Sequence, residues 1–348
     1  MDYAFIPSPS QSEWLIPIPF IGVELPLRAY ALCIIAGIVV ACWITEVRLR
    51  RRGAPPGTVL DIAVWAVPFG IIGGRIYHLI TSPDAYFGEG GNPIAALYIW
   101  NGGLGIPGAV VLGGVGAWIA VRKLDVPFVM VADAIAPALP VAQAIGRLGN
   151  WFNQELYGRP TELWWGVVID ANHQKGIPPE TKGALAYHPT FLYELLWNLG
   201  IALVVWRLDA KFKFGAGRAF AIYVGLYGVG RFWIEGVRID EAHAFLGLRV
   251  NEWVALVMVV GAIIYLLRVH GERQVLVPDA ETGLLPVDWN SPSAAHGVYL
   301  ADATRSNDDD PDPDVVAAAV AAVKEREEST ADEEESAEDK DNGEPSGK

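Results

Sequence analysis

The chain has 348 residues, of which 52% are hydrophobic and only 19% are charged, and its mean hydropathy is +0.28 despite a net charge of −14. This composition excludes an ordinary soluble globular protein and is typical of a polytopic membrane protein. The acidity is local, because residues 301 to 348 hold 17 acidic and 5 basic side chains. The rest of the chain has no basic surplus, which excludes a nucleic-acid-binding protein.

Seven stretches are long and apolar enough to cross a hydrocarbon layer of ~30 Å as helices. They cover residues 28 to 47, 59 to 80, 94 to 121, 126 to 149, 189 to 208, 217 to 237 and 250 to 268. The third is irregular, since four glycines and a proline interrupt it between 101 and 108, and broken backbone in a membrane must be buried in protein or line a wet cavity. We therefore predict an all-α fold of about seven transmembrane helices, one of them kinked or re-entrant.

The chain is expected to have three regions. Residues 1 to 27 contain no Lys or Arg, so they lack the basic start of a cleaved signal peptide and form an extracytoplasmic segment. Residues 28 to 272 form the membrane domain, in which the polar loop 150 to 188 is large enough for a small extracytoplasmic subdomain. Residues 273 to 348 form an acidic cytoplasmic tail that we expect to be disordered, because it holds too little apolar surface to fold.

Basic residues fall on alternate loops between the predicted helices. Clusters occur at 48 to 52, 122 to 123, 207 to 218 and 268 to 273, and the intervening loops are poorer in Lys and Arg. Loops rich in Lys and Arg stay in the cytoplasm. The N-terminus is therefore expected outside and the C-terminus inside.

Charged side chains within the apolar stretches need an explanation, since each Arg costs roughly 2.5 to 3.5 kcal/mol at the membrane centre. Asp61 and Asp133, near helix ends, are predicted to be N-cap or first-turn residues. Arg75 either ties neighbouring helices together or extends to the membrane interface, where we also expect His78.

Two clusters point to chemistry instead. In the first, Arg147 is followed by Asn150 and Glu155, and the fork of an arginine suits a phosphodiester. In the second, Tyr227, Arg231 and Glu235 are spaced i, i+4, i+8 and so share one helix face. The alternative for Arg231 and Glu235 is an ion pair that only holds helices together.

Three motifs resemble those of the prolipoprotein diacylglyceryl transferases. Residues 146 to 155 are similar to the family's G-R-x-G-N-[FW]-x-N-x-E signature, and residues 188 to 194 to its H-P-[ST]-x-L-Y-E motif. Residues 227 to 240 resemble its Y-x-x-x-R-x-x-x-E-x-x-R-x-D stretch. Motif order and spacing agree over about residues 20 to 268, and the acidic tail has no counterpart in the family core.

The resemblance implies a bacterial inner-membrane enzyme that transfers the diacylglyceryl group of phosphatidylglycerol to the cysteine thiol of a preprolipoprotein lipobox. The products are a thioether and glycerol phosphate. The implied partners are phosphatidylglycerol, lipobox peptides and membrane lipids, with no nucleic acid, metal or cofactor. A transporter, the rival class, also has broken helices and intramembrane ion pairs, but it predicts a repeat relating two halves, and the sequence contains none.

The resemblance also assigns roles to individual residues. It implies phosphatidylglycerol binding by Arg147, Asn150 and Glu155, and catalytic roles for Arg231, Glu235, Tyr227 and Tyr30. One departure from the family pattern is Pro107, which is read at a position where many members carry a histidine, and proline cannot act as a general base. Tyr30, Glu235, His188 and water on the lipid side are left as candidates to accept the thiol proton.

Overall fold

The computed structural model describes residues 5–18, 23–88, 91–99, 102–174, 177–240, 244–279 and 283–288. Within these residues the chain is mostly helical, so the predicted all-α membrane fold is confirmed. It divides into two compact units, one of Met1–Thr45 with Ala132–Gly271 and the other of Glu46–Val131 with Glu272–Lys348.

The described residues form nine α-helices and three two-stranded antiparallel hairpins. The helices are α1 Ala29–Arg50, α2 Thr58–Thr81, α3 Asp84–Phe87, α4 Ile106–Lys123, α5 Phe128–Ile135, α6 Ala138–Asn153, α7 Thr190–Phe212, α8 Arg218–Val237 and α9 Val250–Arg268. The hairpins pair β1 Glu13–Ile18 with β2 Val23–Arg28, β3 Ala244–Phe245 with β4 Leu248–Arg249, and β5 Gln274–Asp279 with β6 Gly283–Asp288.

Five described helices, α1, α2, α4, α7 and α9, are long and apolar enough to cross a membrane, and α5 with α6 adds a sixth candidate span that is bent by 46°. The seventh predicted stretch is α8, whose 20 residues suffice in length. Arg231 and Glu235 lower the mean hydropathy of α8, which is why it is not counted among the helices apolar enough to cross a membrane. The stretch predicted at 94 to 121 is broken, since a 3-10 helix over Pro93–Leu97 precedes α4.

In the unit that contains α2 and α4, glycines allow the two helices to touch through their backbones. A Cβ on Gly73 would lie 2.3 Å from the carbonyl oxygen of Gly108, so no larger residue fits there. Arg75 of α2 is buried and donates hydrogen bonds of 2.6–3.1 Å to four carbonyl oxygens, those of Ala95, Ala96, Gly102 and Gly103. Arg75 therefore ties the segment before α4 to α2, as one of its two predicted roles requires.

The two predicted capping acids behave differently. Asp61 lies in the first turn of α2, as predicted. Asp133 is inside α5 and accepts hydrogen bonds of 2.8–3.3 Å from the backbone N–H groups of Gly217, Ala219 and Phe220, at the start of α8. It therefore caps a helix that is distant in sequence, and this contact could not be predicted from the sequence.

The predicted extracytoplasmic loop starts later than expected, because α6 continues to Asn153. Its residues have a hydrophobic core of their own, formed by Tyr157, Val167, Ile169, Ile177 and Tyr187. The segment is therefore folded around buried apolar side chains and carries short β-bridges between residues such as Val167 and Tyr187.

The C-terminal region needs a correction, because its first part is not disordered. Residues 274–279 and 283–288 pair as the β5–β6 hairpin, and Val275, Leu276 and Val277 are completely buried. The backbone N–H of Leu276 donates to the carbonyl oxygen of Arg52 at 2.7 Å. These three side chains are buried as in a hydrophobic core, although the sequence around them is polar. The polar composition of the region therefore led to the wrong prediction. The remainder of the predicted acidic tail, from 289 onward, lies outside the described residues.

Candidate active site

The end of α6 presents the first group of polar side chains. Nη1 of Arg147 donates to Oδ1 of Asn150 at 3.1 Å, and Nδ2 of Asn150 donates to Oε1 of Glu155 at 2.8 Å. Gln154 ends the helix with a left-handed backbone at φ 52°, which turns the chain back so that Glu155 reaches Asn150. The three residues predicted to bind the lipid headgroup are thus brought together in one hydrogen-bonded chain.

Glu194 of α7 connects this group to the second predicted cluster. Its Oε2 lies 2.6 Å from Nη2 of Arg147, and its Oε1 accepts a hydrogen bond of 3.1 Å from Nη1 of Arg231. The contact with Arg147 is an ion pair that lacks hydrogen-bond geometry, whereas the contact with Arg231 has it. One buried carboxylate therefore holds two arginines from two other helices.

Glu194 is the central residue that sequence reasoning left out of the site. It belongs to the 188 to 194 motif, and its position inside an apolar stretch was the signal, but the sequence alone does not show which helices meet there. The four side chains Arg147, Glu194, Arg231 and Glu235 are called the arginine–carboxylate network below.

Glu235 is the most deeply buried member of this network and is completely inaccessible to solvent. Its Oε2 accepts a hydrogen bond of 2.6 Å from Arg231 and lies 3.6 Å from Nη1 of Arg238. Its Oε1 accepts 3.0 Å from Nδ2 of Asn251 and lies 3.4 Å from Nη1 of Arg249. Both oxygens of Glu235 are thus engaged by cationic or amide donors, which is what makes a buried carboxylate tolerable.

Asp240 contacts the two arginines, Arg238 and Arg249, that lie next to Glu235. It forms two hydrogen bonds with Arg238, of 2.7 and 2.9 Å, and lies 3.2 Å from Nη2 of Arg249. Burial acts to raise the pKa of Asp240, but the hydrogen bonds and charges of the two arginines outweigh it and lower that pKa overall. The carboxylate is therefore ionised and fixes both arginines beside Glu235.

Burial within the network separates the two signs of charge. The Arg147 and Arg231 side chains are 21% and 16% exposed, whereas Glu194 is 4% exposed and Glu235 is 0% exposed. A ligand approaching from the accessible side therefore meets guanidinium N–H donors before it meets either carboxylate. Such a surface favours an anion with several acceptor oxygens.

Tyr30, in the first turn of α1, packs against Gly149, the second of the two glycines in the 146 to 155 motif. A Cβ on Gly149 would lie 2.7 Å from Cδ2 of the Tyr30 ring, so only glycine leaves room for this contact. Gly149 lies between Arg147 and Asn150 in sequence. The predicted tyrosine is therefore brought to the α6 part of the site.

Tyr227 lies one turn before Arg231 on α8, in accordance with the predicted spacing. Its ring is 6.0 Å from that of Tyr223, and it packs against the hydrophobic cluster around Ile201, Val205 and Tyr223. Among the contacts that the described residues show for Tyr227, those with this apolar cluster dominate, which distinguishes it from Arg231 and Glu235.

His188 lies outside α7 and contacts Tyr193. The distance from its Nδ1 to the Tyr193 hydroxyl is 2.9 Å, and that hydroxyl also accepts a hydrogen bond of 2.9 Å from Nε1 of Trp165. Burial, followed by the charge of Arg159, lowers the pKa of His188 below its ordinary value. The imidazole is accordingly neutral near pH 7 and is held in place by a tyrosine.

Pro107 has a structural explanation. It occupies the first turn of α4, where a fixed φ favours the start of a helix and the missing N–H has no helical partner to lose. In the part of the chain that the structure describes, no three His, Cys, Asp or Glu side chains are grouped to hold a metal ion.

Helices with membrane-spanning composition, together with an internal network of arginines and carboxylates, define a multi-pass membrane protein with a polar site. Residues 17–268 match the family described as prolipoprotein diacylglyceryl transferase. The chain is 54% identical over 263 residues to phosphatidylglycerol–prolipoprotein diacylglyceryl transferase 2 of Streptomyces coelicolor, covering 76% of this chain and 80% of that protein. It is 53% identical over 269 residues to the corresponding transferase of Nocardia farcinica, covering 75% of this chain and 54% of that one.

The chain therefore belongs to the prolipoprotein diacylglyceryl transferase family, and it is a membrane transferase. The resemblance seen in the three motifs is confirmed over nearly the whole predicted membrane domain.

Proposed function

We propose that this protein transfers the diacylglyceryl group of phosphatidylglycerol to the thiol of a lipobox cysteine in preprolipoproteins. The relatives in Streptomyces and Nocardia bear the name of this reaction. The observation that carries the proposal is the arginine–carboxylate network, in which two partly exposed guanidiniums stand in front of two buried carboxylates.

The chemistry of the reaction explains why two arginines are needed. The thiolate sulfur attacks a glycerol carbon of the lipid, a C–S bond forms, and the C–O bond to phosphate breaks with its electron pair going to the phosphate oxygen. The phosphodiester has one negative charge and the departing glycerol phosphate gains a second. Arg147 and Arg231 bind the phosphate and stabilise the charge that develops on it, which is the kind of interaction that accelerates a reaction.

The two carboxylates act as positioning residues. Glu194 holds Arg147 and Arg231 by opposite oxygens, so it fixes the distance between the two guanidiniums. Glu235 holds Arg231 from its other side and is itself saturated by Arg238, Arg249 and Asn251. With both oxygens engaged, Glu235 orients Arg231 and is a poor acceptor for the thiol proton, which leaves Tyr30, His188 and water on the lipid side as the candidates.

The remaining predicted residues complete the headgroup site. Asn150 and Glu155 lie next to Arg147 and offer an amide and a carboxylate to the glycerol hydroxyls of the headgroup. Tyr30 lies against the same part of α6, and Tyr227 lies one turn before Arg231 on α8. No metal or cofactor is needed for a displacement in which the leaving group is already a phosphate.

We propose that the protein lies in the bacterial plasma membrane with its N-terminus outside and its C-terminus in the cytoplasm. The alternating basic loops support this orientation. The site then lies toward the outer face, because Glu194 is near the start of α7 and Glu235 near the end of α8, the two helix ends that flank the non-cytoplasmic loops. A secreted preprolipoprotein presents its cysteine on that side.

The test is a reconstituted reaction with defined components. The purified protein is incubated with phosphatidylglycerol vesicles and a lipobox peptide, and thioether-linked diacylglyceryl peptide and released glycerol phosphate are measured together. Equal amounts of the two products are expected, and a peptide with Ser in place of the cysteine should give none. Product formation with phosphatidylethanolamine but not with phosphatidylglycerol would overturn the donor, and glycerol phosphate release without peptide modification would overturn the acceptor.

A further inference from the structure

An apolar groove of about 460 Å³ lies along α7 and α8. Its volume is in the range of ligand sites, about 300 to 1,000 Å³. Its lining is formed by aliphatic and aromatic side chains with one glycine, Gly200, and includes Trp197 and Trp233. Nothing in this lining suits a charged ligand, so its occupant has to be a hydrocarbon.

The aromatic wall of the groove is fixed in place. Nε1 of Trp197 donates to the carbonyl oxygen of Leu226 at 3.0 Å, and its ring packs edge-on against Trp233 with centroids 6.0 Å apart. A Cβ on Gly230 would lie 2.1 Å from Nε1 of Trp197, so glycine at this position makes room for the ring. The groove is therefore built by specific contacts and is more than a gap between two helices.

The groove begins on the same turns of α7 and α8 as the arginine–carboxylate network. Tyr193, which lines one end, directly precedes Glu194, and Trp233 lies two residues after Arg231. Tyr193 is held at this end by the hydrogen bond from Trp165 and the contact with His188. A lipid whose polar part binds the network therefore has its apolar part at the level of this groove along the two helices.

The length of the groove matches one lipid tail. The lining residues of α7 run from Tyr193 to Val204, which is about 16 Å of helix at 1.5 Å per residue. Half of a hydrocarbon layer of ~30 Å, the depth occupied by one acyl chain, is ~15 Å. We propose, on the basis of the proposed function, that this groove binds one acyl chain of the phosphatidylglycerol donor and thereby makes turnover depend on chain length.

Gly200 offers a variant that fills the groove without touching the network. A Cβ at this position meets no described atom within 4 Å, and Gly200 lies seven residues, or about 10 Å, beyond Tyr193. Gly261 of α9 is a matched control, since it is likewise an exposed helical glycine whose Cβ would meet no described atom within 4 Å, and it does not line the groove.

The experiment compares Gly200→Phe with Gly261→Phe on two donors, dipalmitoyl phosphatidylglycerol and dioctanoyl phosphatidylglycerol, whose chains are half as long. For Gly200→Phe we expect kcat/KM to fall about tenfold with the long donor, which corresponds to the lost burial of roughly two methylene groups. We expect little change with the short donor. Gly261→Phe should leave both values unchanged.

The outcomes separate the groove from the function. If the unmodified protein modifies the lipobox peptide with neither donor, the proposed function fails. If the unmodified protein is active, but Gly200→Phe leaves kcat/KM unchanged with both donors or lowers it by the same factor with both, the groove does not bind an acyl chain of the donor. The proposal is then overturned.

A second measurement covers a Gly200→Phe protein that inserts poorly. Phosphatidylglycerol with a photoreactive group near the end of one acyl chain is cross-linked to the unmodified protein, and the labelled peptides are identified. Labelling around Gly200 and Val204 that unlabelled phosphatidylglycerol displaces supports the proposal. Labelling spread equally over the exposed face of α9 around Gly261 means contact with bulk lipid only and contradicts it.

Discussion

Arg147 of α6 and Arg231 of α8 contact opposite oxygens of the same carboxylate, that of Glu194 on α7. Three helices therefore meet at a point where two positive charges share one negative charge. The mutual repulsion of the guanidiniums is offset by Glu194 until an anion binds. The described ion pairs around the network join four arginines, with Arg238 and Arg249, to three carboxylates, with Asp240. Under the proposed function, the phosphate of the lipid supplies a fourth negative charge.

Arg147→Lys should reduce turnover about 10²- to 10³-fold although the positive charge is kept, because an ammonium cannot offer two parallel N–H donors to phosphate. The measurement is the rate of lipobox modification by purified protein with phosphatidylglycerol. Arg122→Lys, at the end of α4, is the control and should keep normal activity. Near-normal turnover of Arg147→Lys with correct insertion would remove Arg147 from phosphate binding.

Glu194→Gln should reduce kcat more than it changes KM, since the amide keeps the shape of the side chain but no longer fixes two guanidiniums by charge. A merely structural role would instead lower the amount of folded protein and leave kcat per folded molecule unchanged. Steady-state kinetics and membrane level are therefore measured together. Glu162→Gln, at an exposed position in the loop after α6, is the matched control.

The sequence was sufficient to predict the helical membrane fold, and it located Arg147 and Arg231 as residues that an apolar stretch does not tolerate without a reason. It also placed Arg231 and Glu235 on one helix face, and their contact at 2.6 Å agrees with the i, i+4 spacing. These predictions rest on local periodicity and on the cost of burying charge, which are properties of a single segment.

Contacts between segments were beyond that reasoning. Glu194 joins the site from α7, 37 positions from Arg231 and further still from Arg147, and no spacing rule relates residues so far apart. Arg249 reaches Glu235 from β4, in a segment that follows α8. Asp133 was expected at the start of its own helix and instead caps α8. The β5–β6 hairpin was missed because its buried residues form a short apolar run inside a polar region.

Truncation after Asp288 should leave transferase activity unchanged, because every residue of the proposed site lies between Tyr30 and Arg249 and none lies in the acidic region that is removed. Truncation after Arg273 removes the buried residues Val275, Leu276 and Val277 and should lower stability by several kcal/mol, at about 1.5 to 3 kcal/mol for each fully buried side chain. Thermal unfolding in detergent and activity at equal protein level check both. Equal stability of the two truncated proteins would show that the hairpin contributes nothing.

His188 should make folding depend on pH. Its pKa in the folded protein is below the ordinary value, so the unfolded chain takes up a proton first as the pH falls. The stabilisation is present above about pH 6.5 and is lost as the pH falls toward the folded-state pKa. His188→Gln should therefore weaken the loss of thermal stability between pH 7.5 and pH 5, whereas His173→Gln, an exposed control, should not. An unchanged pH dependence in His188→Gln would contradict this assignment.

The last prediction concerns Arg231 and Glu235. If their contact only holds helices together, removing one partner leaves a buried charge unpaired at a cost of about 3 to 5 kcal/mol, and replacing both with leucine should restore stability and activity. After both substitutions the remaining charged side chains still have partners. Arg147 stays paired with Glu194, and Arg238 and Arg249 stay paired with Asp240, so the double variant is expected to fold.

We therefore expect the variant that carries both Arg231→Leu and Glu235→Leu to be present in membranes at a higher level than either single variant and yet to modify no lipobox peptide. The reason is that packing replaces the lost pairing but not the charge that faces the leaving phosphate. Membrane level is measured by immunoblotting and activity by the thioether product. Recovery of activity in the double variant would reduce both residues to a structural pair.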